Sequence, residues 1–212
     1  GYGLSEAAPV ISSNAAHKHK MGSSGFLADN LEIKILDEDG NEMHLGEKGE
    51  IVVKGENVML GYWKNDEATR EALREGWLFT GDMGYLDEQG RLWFCGRKAH
   101  RVLTEQGPMY TICCEAIFNE HPEVFRSALV GLGKPGKQQP ILTVELHKKK
   151  AKDEEQLCAQ LKALGAANPL TADITTFMVF SSFPVDIRHN AKIFREKLAL
   201  WAQQRLDCQQ GL

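Results

Sequence analysis

Residues 77–97 read WLFTGDMGYLDEQGRLWFCGR, and this stretch decides how the first half of the chain folds. Two apolar runs between Trp77 and Phe94 flank the segment Asp87-Glu88-Gln89-Gly90. Apolar runs separated by a polar segment that ends in glycine predict a β-hairpin. Gly96-Arg97-Lys98 then closes this β-rich region.

Upstream of the hairpin, the sequence predicts short strands joined by turns. LEIKIL at residues 31–36 alternates apolar and polar residues, and EIVVK at residues 50–54 indicates a second strand. Asp66 to Glu75 is typical of a short helix, with Asp66 as its N-cap and Gly76 just past its end. Residues 1–30 are rich in Gly, Ser and Ala and show little periodicity.

Downstream of Lys98 the pattern changes to helices alternating with small strands. Small strands with helices packed on them predict a compact α+β domain. We therefore expect an α+β chain with its boundary near Lys98, dividing residues 1–97 from residues 98–212. The predicted helices are Glu115–Glu120, Asp153–Leu164 and Ala191–Gln204, and the predicted strands are Ser127–Val130, Ile141–Leu146 and Ile174–Phe183.

The composition excludes several classes of protein. With 25 Lys and Arg against 29 Asp and Glu, the formal net charge is -4, which argues against nucleic-acid binding. No run approaches the roughly 20 apolar residues of a membrane helix, and no signal peptide is visible. Five cysteines, without zinc or disulfide spacing, indicate reduced thiols in a cytoplasmic protein.

The chemistry-bearing residues fall into five motifs. The first combines a flexible glycine, a hydroxyl that can bind a phosphate and a carboxylate that can hold Mg²⁺. The others are rich in glycine, aromatic and charged residues, and five motifs in one order at these separations are unlikely by chance. They are Tyr2-Gly3-Leu4-Ser5-Glu6, the region from Gly49-Glu50 to Gly61-Tyr62-Trp63, Thr80-Gly81-Asp82, Gly96-Arg97, and Pro184 with Ala191-Lys192 and Arg195.

Together these motifs resemble the adenylate-forming superfamily, which includes acyl-CoA synthetases, luciferases and nonribosomal-peptide adenylation domains. In order, they are similar to the family's Y-G-x-[ST]-E motif, its G-E-[IL]-x-V-x-G…G-Y-[WY] region, its T-G-D motif, the G-R before its hinge, and its P-x-x-x-x-G-K-x-x-R motif. The resemblance covers the whole chain. It implies that residues 1–97 are the β-rich C-terminal part of the large AMP-binding domain and that residues 98–212 are the small α+β lid domain.

The sequence departs from the family pattern in four places. Ala99-His100 follows Lys98 where the family usually has an acidic hinge residue. Ala191 replaces the glycine before the closing lysine, and the spacing from Pro184 to Lys192 is longer than usual. Thr104-Glu105-Gln106-Gly107 replaces the lysine-rich approach to a pantetheine tunnel, which weakens the case for coenzyme A.

The resemblance implies a site for ATP and Mg²⁺. Asp82 would accept both ribose hydroxyls of ATP, and an acceptor-only side chain suits two donors. Arg97 would also contact the ribose. The alternatives are a turn-capping aspartate and an arginine at a domain edge.

The first motif has its own implied roles. Gly3 and Ser5 would lie in the nucleotide site, with Ser5 binding a phosphate. Glu6 would hold Mg²⁺, because a carboxylate beside a triphosphate is repelled unless a divalent ion lies between them. Tyr2 would lie against adenine. The alternatives are helix capping by Ser5 and core packing by Tyr2.

Lys192 is the implied catalytic residue. In the family reaction a carboxylate attacks the α-phosphorus of ATP, so the protein must supply positive charge where two anions meet. A lysine on a mobile second domain can arrive after both substrates bind. The alternative is one surface lysine among several near the start of a helix.

Residues 96–131 resemble one subgroup more closely, the β-lactone synthetases of bacterial long-chain olefin biosynthesis. This resemblance implies adenylation of a small-molecule carboxylic acid, a long-chain 2-alkyl-3-hydroxy acid, with release of pyrophosphate. Attack of the 3-hydroxyl on the activated carbonyl would then close a β-lactone and expel AMP. Two alternatives stay open: transfer of the acyl group to a thiol, as in acyl-CoA synthetases and peptide-synthetase adenylation domains, and a non-catalytic interaction module.

The chain begins at Gly1 without a methionine, and the family's phosphate loop would lie upstream of Tyr2. We therefore expect these 212 residues to be part of a larger enzyme and to be inactive on their own. Other enzymes of the same pathway are possible partners.

Overall fold

The computed structural model describes residues 1–147, 153–186 and 192–210. It divides into two compact units, Gly1–Ala99 and His100–Leu212. Every sheet of the described residues lies within one unit. The predicted α+β class is confirmed, and no helix of the described residues is long and apolar enough to cross a membrane.

The first unit is built on an eight-stranded sheet whose pairings are all antiparallel. Its strand order is β1-β2-β3-β8-β7-β5-β4, with β6 paired to β7. The elements are β1 Tyr2–Gly3, β2 Val10–Ser13, β3 Gly25–Leu27, β4 Leu31–Leu36, β5 Gly49–Gly55, α1 Asp66–Ala72, β6 Leu73–Arg74, β7 Trp77–Leu86 and β8 Arg91–Arg97, with a 3-10 helix at Ser5–Ala7.

Strands β5 and β7, which pair with each other, carry much of the core of the first unit. Ile51 and Val53 on β5 and Leu78 on β7 are completely or almost completely buried. Alternate residues of a strand point to the same face, so this spacing places one apolar face against Ile11 and Leu92. Both strands are paired on each side, β5 by β4 and β7, and β7 by β5 and β8.

The predicted strands and hairpin of this unit are confirmed, but the N-cap and the end of the predicted helix are wrong. Asn65 and not Asp66 is the N-cap of α1, because the Asn65 side chain accepts the backbone N–H of Ala68. The helix ends at Ala72, since the next two residues pair with β7. Glu75 and Gly76 both have positive φ, which is the geometry of a tight two-residue hairpin turn.

Asp87 organises the turn between β7 and β8. Its carboxylate accepts the backbone N–H groups of Gln89 and Arg91, the Arg91 side chain at 3.0 Å and the Trp93 indole N–H at 3.0 Å. Although burial opposes the effect, these hydrogen bonds hold the pKa of Asp87 below its ordinary value.

We expect Asp87→Ala to destabilise the chain by about 1–2 kcal/mol at pH 7, because it removes several local hydrogen bonds of a charged acceptor. Because the pKa of Asp87 is lower in the folded state, its charge stabilises the fold at pH values above the unfolded-state pKa of about 3.9. This stabilisation is lost as the pH falls toward the folded-state pKa. The difference between wild type and Asp87→Ala in urea denaturation should therefore shrink from pH 7 to pH 3. An equal difference at both pH values would contradict this role for the charge.

The second unit contains a three-stranded sheet and a separate hairpin. The sheet has the order β11-β12-β13, with β12 and β13 parallel. The elements are β9 Val102–Thr104, β10 Gly107–Met109, α2 Thr111–Phe118, β11 Val124–Leu132, β12 Gln139–Leu146, α3 Glu154–Ala166, β13 Thr176–Val179 and α4 Arg195–Gln210.

Helices cover both faces of this sheet. Leu129 and Leu142 face a core that includes Phe118 of α2 and Leu161 of α3. The neighbouring strand positions face a second core formed with α4, whose members include Ala128, Val130, Ile141 and Leu198. The alternation of apolar residues along β11 therefore buries both sides of the strand, as expected for a sheet between two helical layers.

The predicted elements of this unit are found, but their observed bounds differ from the predicted ones. The helix at Glu115 begins four residues earlier, the strand at Ser127 extends to Val124 and Leu132, and the strand at Ile174 covers only Thr176–Val179. The predicted helix start at Ala191 lies outside the described residues, and the helix is observed from Arg195. The β9–β10 hairpin was not predicted.

Candidate functional site

Asp82 lies at the centre of the first group of predicted site residues. The antiparallel pairing of β7 and β8 places it directly opposite Arg97. The Asp82 side chain is 5% exposed, Tyr2 donates its hydroxyl to Oδ2 at 2.7 Å, and Nε of Arg97 lies 3.1 Å from Oδ1. The fold thus brings together three residues that are widely separated in sequence.

The Oδ1 atom of Asp82 is a buried acceptor without an aligned hydrogen bond in the described part of the chain. Its contact with Arg97 is an ion pair that lacks hydrogen-bond alignment. Burial raises the pKa of Asp82, while the hydroxyl of Tyr2 and the charge of Arg97 oppose that increase. Because an unsatisfied buried acceptor is costly, Oδ1 is suited to accept a hydroxyl donor from a ligand.

Tyr2 packs against the sheet through its ring. The ring stacks on Phe94 with centroids 5.5 Å apart, and burial together with Asp82 raises the pKa of the phenol, which stays neutral. At Gly3, a Cβ atom would lie 1.9 Å from the carbonyl oxygen of Pro9. Glycine at this position therefore permits the close approach of β1 and β2.

The rest of the first motif forms a 3-10 helix. Ser5 is exposed at its first position, and the N-cap is Leu4, so the alternative that Ser5 caps a helix is wrong. The carboxylate of Glu6 accepts the hydroxyl of Tyr62 at 2.9 Å, and its backbone carbonyl accepts the N–H of Met59. The charge of Glu6 also contributes to the raised pKa of Asp82, whose main cause is burial.

Sequence reasoning assigned no role to Tyr62 and Glu50. Both lie in the second motif of the family resemblance, but nothing in that motif by itself indicated a chemical role for either residue. Tyr62 holds the carboxylate of Glu6, and Glu50 accepts the backbone N–H of Gly81 at 3.2 Å. Tyr62 therefore contacts Glu6 of the predicted site, and Glu50 contacts Gly81, the residue before Asp82.

Lys192 lies in the second unit and is exposed. Its carbonyl accepts the backbone N–H of Asp186 at 2.9 Å, and Val185 and Ile193 form an isolated antiparallel bridge. The backbone beside Lys192 is thus held while its side chain reaches solvent. Ala191, before it, lies outside the described residues.

Arg195, which belongs to the same predicted motif, has a largely buried side chain with a structural role. Its guanidinium forms a two-pronged ion pair with Glu115 of α2, with Nη2 at 2.9 Å from Oε2, and also donates to the carbonyl of Leu129 at 3.1 Å. Glu115 in turn accepts the N–H of Leu129. These bonds tie the start of α4 to α2 and β11, close in sequence to Lys192.

The described residues contain no group of three or more His, Cys, Asp or Glu that could hold a metal ion by itself. Mg²⁺ commonly binds through one or two carboxylates together with substrate phosphates. The single carboxylate of Glu6 therefore fits a Mg²⁺ ion that is carried mainly by a nucleotide. No disulfide is formed among the described residues.

Known proteins with similar sequences cover most of this chain. The family described as "AMP-binding enzyme" matches residues 1–63, which include the Tyr2–Glu6 motif and Tyr62. An olefin β-lactone synthetase from Xanthomonas campestris pv. campestris is 53% identical over 170 residues, covering 76% of this chain. The chain belongs to the adenylate-forming superfamily. A long-chain-fatty-acid–CoA ligase from Escherichia coli O6:H1 is 39% identical over 148 residues, or 68% of the chain.

Adenylate-forming enzymes of known structure share the fold. The O-succinylbenzoate coenzyme A synthetase from Bacillus subtilis, solved in complex with AMP, aligns with a TM-score of 0.79 and 28% identity. The alignment covers 93% of this chain and 40% of the synthetase. The matches to the two curated relatives cover 31% and 26% of their lengths, so this chain spans only about a third or less of either.

Proposed function

We propose that this chain supplies the ribose-binding part and the lid of an ATP-dependent acid-activating enzyme. Residues 1–97 would be the end of the large AMP-binding domain, and residues 98–212 would be the lid. The reaction would join a carboxylic acid to AMP and release pyrophosphate. ATP would be the cosubstrate, with Mg²⁺ neutralising its phosphates.

The observation that carries this proposal is the arrangement around Asp82. A buried carboxylate held by Tyr2 and Arg97, with Oδ1 lacking an aligned donor, suits a ribose hydroxyl. Because the Arg97 side chain is more than half exposed, it can move from Oδ1 when a nucleotide enters and would then contact the same ribose. Glu6 would then hold Mg²⁺ beside the phosphates, with Ser5 within the same short helix.

We further propose that the acid is a long-chain 2-alkyl-3-hydroxy acid and that the product is a β-lactone. The 53% identity to an olefin β-lactone synthetase supports this choice over a thioester, as does the lack of lysines at Thr104-Glu105-Gln106-Gly107. The competing product is an acyl-CoA, which the 39% identity to a fatty-acid–CoA ligase favours. Product analysis of the complete enzyme with and without coenzyme A separates the two, since a lactone forms without the thiol.

Asp82→Ala in the complete enzyme should raise KM for ATP roughly tenfold or more while kcat stays near wild type. The reason is that ribose contacts are already made in the ground state, so their loss weakens binding rather than the chemical step. KM and kcat are measured by pyrophosphate release. Asp87→Asn, on the hairpin turn, is the matched control and should leave KM for ATP unchanged; an unchanged KM in Asp82→Ala would contradict the ribose assignment.

A further inference from the structure

We propose that Glu50 is a positioning residue for the nucleotide, because it bridges the two chain segments that carry Asp82 and Arg97. This inference rests on the ribose role proposed for those two residues. It concerns a carboxylate on β5 that does not itself contact the ribose-binding pair.

The first contact of Glu50 is made where the pairing between β5 and β7 is interrupted. Along β5, Val52 pairs with Phe79, but Glu50 pairs with Met83, so the register shifts between them. Residues 80–82 therefore bulge out of the ladder, and Gly81 has a φ of 68°. Bulges often aim a side chain at a functional site, and this one sets the direction of Asp82.

Side chains replace the missing ladder hydrogen bonds within the bulge. Oε1 of Glu50 accepts the backbone N–H of Gly81 at 3.2 Å. The hydroxyl of Thr80 donates to the carbonyl of Ile51 at 2.7 Å and accepts the N–H of Asp82 at 3.1 Å. Glu50 and Thr80 thus hold the bulge from two sides and fix the backbone of Asp82.

The second contact of Glu50 is with Lys98, the residue that follows β8. Oε2 of Glu50 lies 2.7 Å from Nζ of Lys98, the residue that follows Arg97. The Glu50 side chain is 11% exposed, whereas Glu38, the other carboxylate beside Lys98, is 62% exposed at 3.1 Å. Because exposed ion pairs contribute little, the contact with Glu50 is the stronger of these two ion pairs of Lys98.

One carboxylate therefore couples the backbone of Gly81, which precedes Asp82, to the side chain of Lys98, which follows Arg97. Both its oxygens are used, one on each segment, and it is largely buried. Loss of either contact would loosen the position of one member of the pair relative to the other. The expected consequence is weaker ATP binding without a matching loss of the chemical step.

The test is Glu50→Gln in the complete enzyme, which preserves size and an acceptor for Gly81 but removes the charge facing Lys98. KM for ATP should rise about fivefold to tenfold, with kcat within about twofold of wild type. Lys98→Met should produce a similar rise, and the double variant should be no worse than the worse single variant, since both remove one interaction. Melting temperatures of all variants are measured in parallel.

Glu38→Gln is the matched control, because it removes the exposed partner of Lys98 and should leave KM for ATP unchanged. A Glu50→Gln enzyme with a lower melting temperature but a wild-type KM would overturn the proposal and assign Glu50 to stability alone. Equal effects of Glu38→Gln and Glu50→Gln would also overturn it. If both Asp82→Ala and Glu50→Gln leave KM for ATP unchanged, the ribose assignment itself fails. If Asp82→Ala raises KM for ATP but Glu50→Gln does not, only the positioning role of Glu50 fails.

Discussion

Lys192→Ala is expected to slow acid adenylation by about 100-fold or more in the complete enzyme, while KM for ATP changes little. The attacking carboxylate and the α-phosphate are both anionic, so an ammonium beside them stabilises the transition state more than bound ATP. Lys192 is exposed on a backbone held by Asp186, which suits a group that must reach a substrate on another domain. The measurement is kcat and KM by pyrophosphate release.

Lys197→Ala is the matched control for this experiment. Lys197 lies five positions further along, and its ammonium is 4.9 Å from the centroid of the Phe194 ring, so its removal should leave kcat within about twofold of wild type. Normal kcat in Lys192→Ala would show that the catalytic lysine has been misidentified. A large loss in Lys197→Ala would identify that residue as the alternative.

Arg195→Ala is expected to destabilise the second unit by about 3–5 kcal/mol, because it leaves the buried charge of Glu115 without its partner. The two side chains are only 13% and 6% exposed, so solvent compensates poorly for the lost ion pair. Leu129 would also lose the hydrogen bond from Arg195 to its carbonyl. Hydrogen exchange of the amides in β11 and β12 measures the free energy of opening in this unit separately from the first.

The double variant Glu115→Leu with Arg195→Met shows whether Arg195→Ala destabilises the unit through an unpaired buried charge or through lost packing. It removes both charges and keeps apolar volume, so it should be more stable than Arg195→Ala. A double variant as unstable as the single variant would show that the ion pair is not the cause. Little loss of protection in Arg195→Ala would contradict the anchoring role of this pair.

The strands and the hairpin of the first unit could be predicted because their signal is local. LEIKIL alternates along one strand, and Asp87 to Gly90 lies between two apolar runs, so periodicity and turn residues suffice. The strands within residues 1–30 were missed because they are only two to four residues long. Short strands of this kind depend on pairing with distant partners, as Gly25 does with Leu92.

Helix bounds in the second unit were less accurate for a physical reason. The N-cap of α2 is Tyr110, whose side chain makes no capping hydrogen bond, so the sequence has no start signal there. In contrast, Asp153 caps α3 by accepting the N–H of Gln156, and the start of that helix was predicted within one residue. Where a polar cap exists, sequence alone locates the helix.

The candidate site was only partly accessible from the sequence. Motif resemblance selected Tyr2, Asp82 and Arg97, and the structure places them in contact. It also grouped Arg195 with Lys192, although one is buried in an ion pair and the other is exposed. The role of Glu50 depends on a register shift between strands, and no local pattern reports such a shift.

The most direct test of the account is ATP–pyrophosphate exchange by the complete enzyme that contains this chain. Exchange reports formation of the acyl-adenylate itself, whichever acceptor takes the acyl group afterwards. We predict exchange that requires a long-chain 2-alkyl-3-hydroxy acid and Mg²⁺ and that falls about 100-fold in Lys192→Ala. Absence of exchange with every carboxylic acid tested, from an enzyme that is folded and binds ATP, would contradict the assignment of this chain to an acid-activating enzyme.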